Sequence, residues 1–244
     1  MKLLVSDYDG TLFTDERNMK INVKRIEEFV KDGNLFMLSS GRSFESLMGK
    51  VEEHNIPISY LATEDGSHLF DKNGTLLHEE LLDLDIEDEI HGLKALNRHY
   101  GMQYGTTRKY YESYPGLPVS NINFILNEDM INRQFNREWK RLEKAHKDRY
   151  EFLVYGYDNI YYYCIKPKGV DKAKPVDKLS EILGLDKSSI FTIGDGDNDM
   201  PMIIKYNGYM IGDNEPLKKC SLKCYNEVYE LIDDIQKQKV IRRW

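Results

Sequence analysis

Cysteine is scarce in this 244-residue chain, which carries only Cys164, Cys220 and Cys224. An odd, sparse set makes no disulfide framework and fits a reducing cytosol. Cys220 and Cys224 have no matching His or Cys pair nearby, so a zinc cluster is not expected and small buried hydrophobes are. Long apolar runs are missing, and so is a charged-then-apolar leader. A membrane span and a signal peptide are therefore not predicted, and the expected location is cytoplasmic. Net positive charge is lacking too. The formal charge is -7, whereas non-specific nucleic-acid binding needs a basic surface, so no nucleic-acid partner is expected. No period of twenty to fifty residues recurs, and no stretch is low-complexity or long enough to be a linker. What remains is an ordinary globular composition, long enough for one large domain or a core with a smaller inserted one.

The chain opens in an α/β rhythm. Leu3 to Ser6 reads as a short buried strand, apolar and stopped by Asp and Gly. Val23, Ile26, Phe29 and Val30 have helical spacing, which predicts a helix over Asn22 to Lys31. Strands are expected at Leu35 to Leu38 and Tyr60 to Thr63, with a helix from Ser43 to about Glu53 between them. This is the order of a parallel sheet with crossover helices. A hairpin follows, Ser67 to Phe70 and Thr75 to His78. From there the pattern is α+β. Helices are expected at Ile86 to Tyr100 and Asn132 to Lys147, with strands at Met102 to Thr107, Tyr110 to Ser113 and Asn121 to Leu126. Phe152 to Tyr155 and Ile160 to Ile165 read as an antiparallel pair joined through Gly156 to Asn159. After Lys166 the α/β rhythm returns: a helix over Lys172 to Leu183, a strand at Ile190 to Ile193, a helix over Asn198 to Lys205, a strand at Tyr209 to Ile211 and a last helix over Val228 to Gln236. The expected organisation is a core of residues 1–81 and 166–244, with an inserted domain over 82–165.

Four stretches carry chemistry. The first is Val5 to Thr14, VSDYDGTLFT, where Asp7 and Asp9 stand at a strand's C-terminal end. Open α/β sheets bind ligands there. A lone D-x-D also suits a turn in which an Asp bonds its own backbone. An ionised carboxylate is a ready nucleophile, and a second group beside it can handle a proton. The second stretch is Ser40-Gly41-Arg42, at a strand-to-helix turn. A hydroxyl and backbone N–H groups there can hold a phosphate oxygen, or Ser40 can simply cap the helix. The third is Lys166 to Lys174, KPKGVDKAK, most of whose lysines read as solvated. A cation at a helix N-terminus opposes the dipole, so a fixed anion nearby explains Lys172 better than helix stability does. The fourth is Gly194 to Asp199, GDGDND, directly after a strand. Its carboxylates repel each other without a cation, and hard oxygen ligands in an open turn suit Mg²⁺. A calcium-type acidic loop is the alternative, but an EF-hand needs longer spacing and a closing Glu.

Together these stretches resemble the four motifs of the haloacid dehalogenase (HAD) superfamily, in that family's order from Asp7 to Asp199. The large insertion between the second and third motifs, with the S-G-R and G-D-G-x-N-D variants, is similar to the Cof-type group with a C2B cap. The resemblance implies a Rossmann-like parallel-sheet α/β core with an inserted α+β cap. It implies that Asp7 is the nucleophile that takes the phosphoryl group, and that Asp9 is the general acid and then the base. Ser40, Gly41, Lys172 and Asn198 would bind phosphate, with Lys168 and Lys174 as alternatives for the lysine. Asp195 would be a direct Mg²⁺ ligand, with Asp7, Asp9 through its backbone carbonyl, and Asp199 completing the metal set. Ala173 stands where the family often has Gly.

The function so implied is a Mg²⁺-dependent phosphomonoester hydrolase acting on a small phosphorylated metabolite such as a sugar phosphate. A sugar phosphomutase of the same superfamily is the nearest alternative. From other classes, a phosphoaspartate switch and a non-catalytic binding protein on the same scaffold remain open. A receiver-type switch lacks a cap, and a general base beside the nucleophile would shorten its phosphorylated state. The core motifs offer nothing that reads an alcohol, so substrate choice is expected to fall to the inserted domain. The stiff loop Tyr114 to Asn121, YPGLPVSN, supplies Asn121, and Arg42 and Arg108 are further candidates for substrate contact.

Overall fold

The computed structural model describes residues 1–96, 101–157 and 159–238. Strand β1 (Leu3–Ser6) is buried along its whole length, as its apolar run predicts. It is followed by α1 (Glu16–Lys31), β2 (Leu35–Ser39), α2 (Phe44–His54), β3 (Tyr60–Thr63), β4 (His68–Asp71) and β5 (Leu76–Glu79). Next come α3 (Glu87–Ala95), β6 (Gly101–Gly105), β7 (Tyr110–Tyr111), β8 (Asn121–Asn127), α4 (Arg133–His146), β9 (Tyr150–Tyr157) and β10 (Ile160–Pro167). The chain closes with α5 (Ala173–Leu183), β11 (Ile190–Gly194), α6 (Met200–Tyr206), β12 (Tyr209–Ile211), α7 (Glu215–Cys220), β13 (Cys224–Tyr225) and α8 (Val228–Gln236).

Two compact units emerge, one made of Met1–His78 and Asp171–Trp244, the other of Glu79–Val170. The first holds a sheet in the order β13-β12-β11-β1-β2-β3-β4-β5. From β13 to β3 every neighbouring pair is parallel, and β4 turns back antiparallel on β3. β1 lies between β2 and β11, so the strand order reverses beside it. In an open α/β sheet that switch point leaves a crevice at the carboxyl ends of the strands. Leu4, Phe36, Ile26, Phe29, Leu231 and Ile232 belong to the core on one side of this sheet. Val5, Met37, Val176, Leu179 and Ile203 belong to the core on the other. This is the α/β class expected of the sequence.

The second unit is built on an antiparallel sheet in the order β7-β6-β8-β10-β9. Its own core gathers Ile90 and Leu93 of α3, Phe135, Trp139 and Leu142 of α4, and Phe124 and Tyr163 of the sheet. Phe135 and Trp139 each meet the Tyr163 ring edge-on at 5.0 Å between centroids, a favoured aromatic geometry. Among the described residues no helix is long and apolar enough to cross a membrane.

Several elements differ from the sequence reading. α1 starts at Glu16, six residues before the periodicity shows, because Asp15 caps it through its side chain to the N–H groups of Arg17 and Asn18. Those first turns are polar, so no apolar stripe announces them. The expected helix to Tyr100 is described only as far as Ala95, and its last four positions lie outside the described residues, as does Asp158 in the β9–β10 connection. α6 begins only at Met200, because Asp197–Asp199 form a tight 3₁₀ turn. α7 and β13 were not foreseen. Nor was the exposure of Cys224, which the sequence reading placed inside. β13 is a two-residue edge strand, so Tyr225 turns into the core and Cys224 turns out.

Candidate active site

Parallel pairing puts the carboxyl ends of β1, β2, β3 and β11 on one edge of the first unit's sheet. The first, second and fourth motifs start where β1, β2 and β11 stop, and the third stands at the start of α5. Asp7 follows Ser6 and remains tied to the sheet through its N–H, which donates to the Ile193 carbonyl at 3.1 Å. Its carbonyl accepts from Leu12 at 3.3 Å, so the Asp7–Thr11 segment folds back as a tight loop. Gly10 in that loop has φ of +82°, and a Cβ there would lie 2.5 Å from Asp195 Oδ2. Only glycine lets the first and fourth motifs approach this closely.

At the centre is Lys172, 1% exposed at the start of α5. Its Nζ donates to Asp7 Oδ1 and to Asp199 Oδ1, each at 2.6 Å. Asp199 uses its other oxygen to accept from the N–H groups of Asp195 and Gly196, at 3.0 and 2.9 Å. Asp195 Oδ1 accepts from the Thr11 hydroxyl at 2.5 Å. Thr11 lies within the first motif, and only the fold shows its role as a partner of the fourth. Lys168, the first alternative for the motif lysine, instead pairs with Glu151 in the second unit at 3.0 Å. Lys174 follows Lys172 in the first turn of α5, where its N–H donates to Asp171.

Asp7, Asp195 and Asp199 each present one carboxylate oxygen, and these oxygens lie within 4.8 Å of one another. Three carboxylates against the single ammonium of Lys172 leave a local deficit of positive charge. Burial pushes the Asp7 carboxyl well above the usual carboxylate range, against the pull of Lys172, and Asp199 and Asp195 add to the rise. Asp195 is pushed up in the same way, by burial first and then by Asp199, while Thr11 opposes the rise. Burial works against the charge on Lys172, but Asp199, Asp7 and Asp65 outweigh it and hold the ammonium protonated. Hard oxygen donors, close together and short of positive charge, fit a small divalent cation.

Other candidates sit around this centre. Asp9 is exposed, and both its oxygens accept from Arg42 at 2.7 Å, through Nε and NH2. Such a bidentate fork is a strong ion pair. The Asp9 carboxylate is therefore not among the clustered oxygens, and its expected metal contribution was the backbone carbonyl. Ser40 is 2% exposed, and its hydroxyl accepts from the Arg42 N–H at 3.2 Å. Asn198 is exposed and donates through Nδ2 to Asp65 Oδ1 at 2.9 Å. Arg108 and Asn121 both belong to the second unit. Arg108 is exposed in the β6–β7 turn. Asn121 is 3% exposed at the start of β8, donating to Ser120 and accepting from Asn123. Within the YPGLPVSN loop only the stretch up to Pro118 is open to solvent, since Val119 and Ser120 are buried.

The profile of the haloacid dehalogenase-like hydrolase family matches residues 4–148 and 120–224. A 5-amino-6-(5-phospho-D-ribitylamino)uracil phosphatase of Bacillus subtilis, YcsE, is 26% identical over 256 aligned residues, spanning 100% of this chain and 96% of that protein. A haloacid dehalogenase-like hydrolase from Bacteroides thetaiotaomicron has a similar fold, with a TM-score of 0.78 at 20% identity over 96% of this chain and 99% of that one. A sugar phosphatase of HAD subclass IIB gives a TM-score of 0.74 at 15% identity over 97% and 99%. The family profile spans all four motif loops, from the strand that carries Asp7 to the turn that carries Asp199, and the chain belongs to the haloacid dehalogenase-like hydrolase family.

Proposed function

We propose that this phosphatase is a Mg²⁺-dependent hydrolase of small phosphomonoesters in the cytosol, working through an aspartyl-phosphate intermediate. The buried chain Asp7–Lys172–Asp199 carries the reading, because it sets a nucleophile beside a fixed cation at the sheet's switch point. An oxygen of Asp7 forms the bond to phosphorus while the bond from phosphorus to the leaving oxygen breaks. Asp9 gives its proton to that oxygen, so an alcohol leaves. Asp9 then takes a proton from water, whose oxygen attacks phosphorus. The bond to Asp7 breaks and inorganic phosphate is released. Lys172 and the hydroxyl of Ser40 offset charge on the phosphoryl oxygens. Mg²⁺ held by Asp7, Asp195 and Asp199 would neutralise further phosphoryl charge and orient the group for in-line attack. The Arg42 fork must release Asp9 before Asp9 can carry a proton.

A sugar-type substrate is supported by chemistry that two relatives share. The B. subtilis protein is named for a ribityl phosphate and the subclass IIB protein for sugar phosphates. Both are phosphomonoesters of polyhydroxylated carbon chains. The deciding experiment is an initial-rate screen with Mg²⁺ against sugar phosphates, nucleotides and cofactor phosphates. Release of inorganic phosphate from a subset is expected, and none from any of them would overturn the reading. Arg108 and Asn121 are the proposed determinants of choice. Their Ala variants should reorder kcat/KM across the panel and leave the Mg²⁺ requirement alone; a uniform fall for all substrates would move selection elsewhere.

Protons and Mg²⁺ compete for the same carboxylates. A carboxyl raised by burial holds its proton into a range where an ordinary one has lost it, and the proton must leave before the metal binds. The Mg²⁺ concentration for half-maximal activity should therefore fall as pH rises from 5 to 8. EDTA should abolish turnover, Mg²⁺ should restore it, and Ca²⁺ should restore it poorly because of its looser coordination. Titrations of rate against Mg²⁺ at several pH values check this; full activity in excess EDTA would rule the metal out.

A further inference from the structure

The turn between β3 and β4 holds a carboxylate that the four motifs do not include. Glu64 and Asp65 have φ of 51° and 50°, a left-handed conformation that Asp tolerates and Glu adopts rarely. Such backbones persist where the surroundings over-determine them. Here the Glu64 N–H donates to the Arg42 carbonyl at 3.0 Å and the Asp65 N–H to the Ser40 carbonyl at 3.1 Å. The turn is thus fastened along the second motif. Gly66 then passes so close to Asp171 that a Cβ would lie 2.0 Å from its carbonyl oxygen, so the turn also abuts the residue before Lys172. Asp65 Oδ1 accepts from Asn198 Nδ2 at 2.9 Å. Asp65 Oδ2 lies 3.2 Å from where a Cβ on Gly41 would stand. One side chain therefore touches the second and fourth motifs from a turn packed against the third.

We infer that Asp65 is a positioning residue for the phosphate pocket, orienting the Asn198 amide and bracing the Gly41 turn. The inference rests on the phosphatase reading above. A carboxylate only accepts hydrogen bonds. It therefore fixes which way the Asn198 amide faces: the NH₂ group toward Asp65, with its second N–H and Oδ1 left for other partners. Without Asp65 that amide is free to rotate, and the donor it offers an anion is no longer in place. Asp65 does this from outside the reacting atoms, so its effect should fall on phosphate binding more than on the chemical step.

Two variants separate the carboxylate from the turn. Asp65→Gly keeps a left-handed φ without strain and removes the acceptor. Asp65→Asn keeps the turn and retains one acceptor oxygen. For both, kcat and KM are measured on the best substrate of the screen, and inorganic phosphate binding is measured by calorimetry with Mg²⁺ present. Asp65→Gly should raise KM and the phosphate Kd about tenfold, on the scale of one hydrogen bond to a charged group, with a smaller change in kcat. Asp65→Asn should stay close to the parent. Asn198→Ala should show the same shift, and the double variant Asp65→Gly/Asn198→Ala should be no worse than either single one. Parental KM and phosphate affinity in Asp65→Gly, or losses that add to those of Asn198→Ala, overturn the inference. A parent that binds phosphate but hydrolyses nothing refutes the phosphatase reading alone, since the effect of Asp65 on binding is still read. A parent that does not bind phosphate refutes both.

Discussion

Asp7→Asn protein should fold as the parent does and hydrolyse no phosphomonoester at a measurable rate. An amide oxygen is a far weaker nucleophile than a carboxylate, and no other described carboxylate accepts from Lys172 except Asp199, which is spent on the backbone N–H groups of Asp195 and Gly196. Loss of a covalent nucleophile removes the reaction path itself, so the fall should exceed the factor of about 10²–10⁴ typical of a general acid–base group. Asp9→Asn, which removes only such a group, should fall within that range and accumulate phosphoenzyme. Stability moves the other way. A carboxyl whose folded pKa is raised above its unfolded value gives stability that is full at low pH and lost as pH rises through the folded pKa. At neutral pH without metal the Asp7 carboxylate is therefore a burden, and Asp7→Asn should melt at or above the parent temperature in EDTA. Substantial turnover by pure Asp7→Asn protein would sink the nucleophile assignment.

The second large effect is on folding. Lys172→Met should lose all activity and about 3–5 kcal/mol of stability, the usual cost of removing one partner from a buried ion pair. At roughly 2–4 °C per kcal/mol for a chain of this size, Tm should fall by about 10 °C. The cause is specific: the ammonium is 1% exposed and is shared between Asp7 and Asp199, which are themselves 6% and 1% exposed. Methionine fills the space and leaves the carboxylates uncompensated. The Asp7 carboxyl, already raised by burial, then loses the opposing pull of Lys172, so the deficit should be smaller at pH 5, where protonation relieves it, than at pH 8. Mg²⁺ should raise the Tm of Lys172→Met more than that of the parent, because it supplies the missing charge. Thermal melts of both proteins at two pH values, with and without Mg²⁺, provide the check. A Tm within a degree of the parent at pH 8 would mean that Lys172 does not neutralise the cluster.

The two results separate what each residue does. On the proposed mechanism Asp7 would carry chemistry at some expense of stability, whereas Lys172 would serve both. Functional sites commonly hold groups that the fold alone would not choose, and three carboxylates within 4.8 Å are of that kind.

Most of the core elements were legible because their apolar periods are clear: β1, β3 and β12 begin and end where the pattern says. Where the pattern failed, the reasons are local. The first turns of α1 are polar and start from a side-chain cap at Asp15. The two residues of β13 are too few for an alternation to register. Asp65 gave no sign of a role, since T-E-D-G reads as an ordinary turn. Its importance lies in contacts to Ser40 and to Asn198, the latter 133 positions away.

Residue type and spacing along the chain decided the chemistry. Carboxylates crowded after an apolar strand call for a cation, and the four motifs in order, by their resemblance to the family's, point to phosphoryl chemistry. Tertiary structure alone decided which groups meet. Lys172 stands 165 positions from Asp7; its place at a helix start and in the motif favours it over Lys168 and Lys174, but only the fold shows its ammonium reaching Asp7 and Asp199. β11 pairs beside β1, which brings the fourth motif to the first, and α5 points the Lys172 ammonium inward between them. Hydrogen bonds and charges act over a few ångströms, so a site gathered from four loops takes its geometry from the order of the strands.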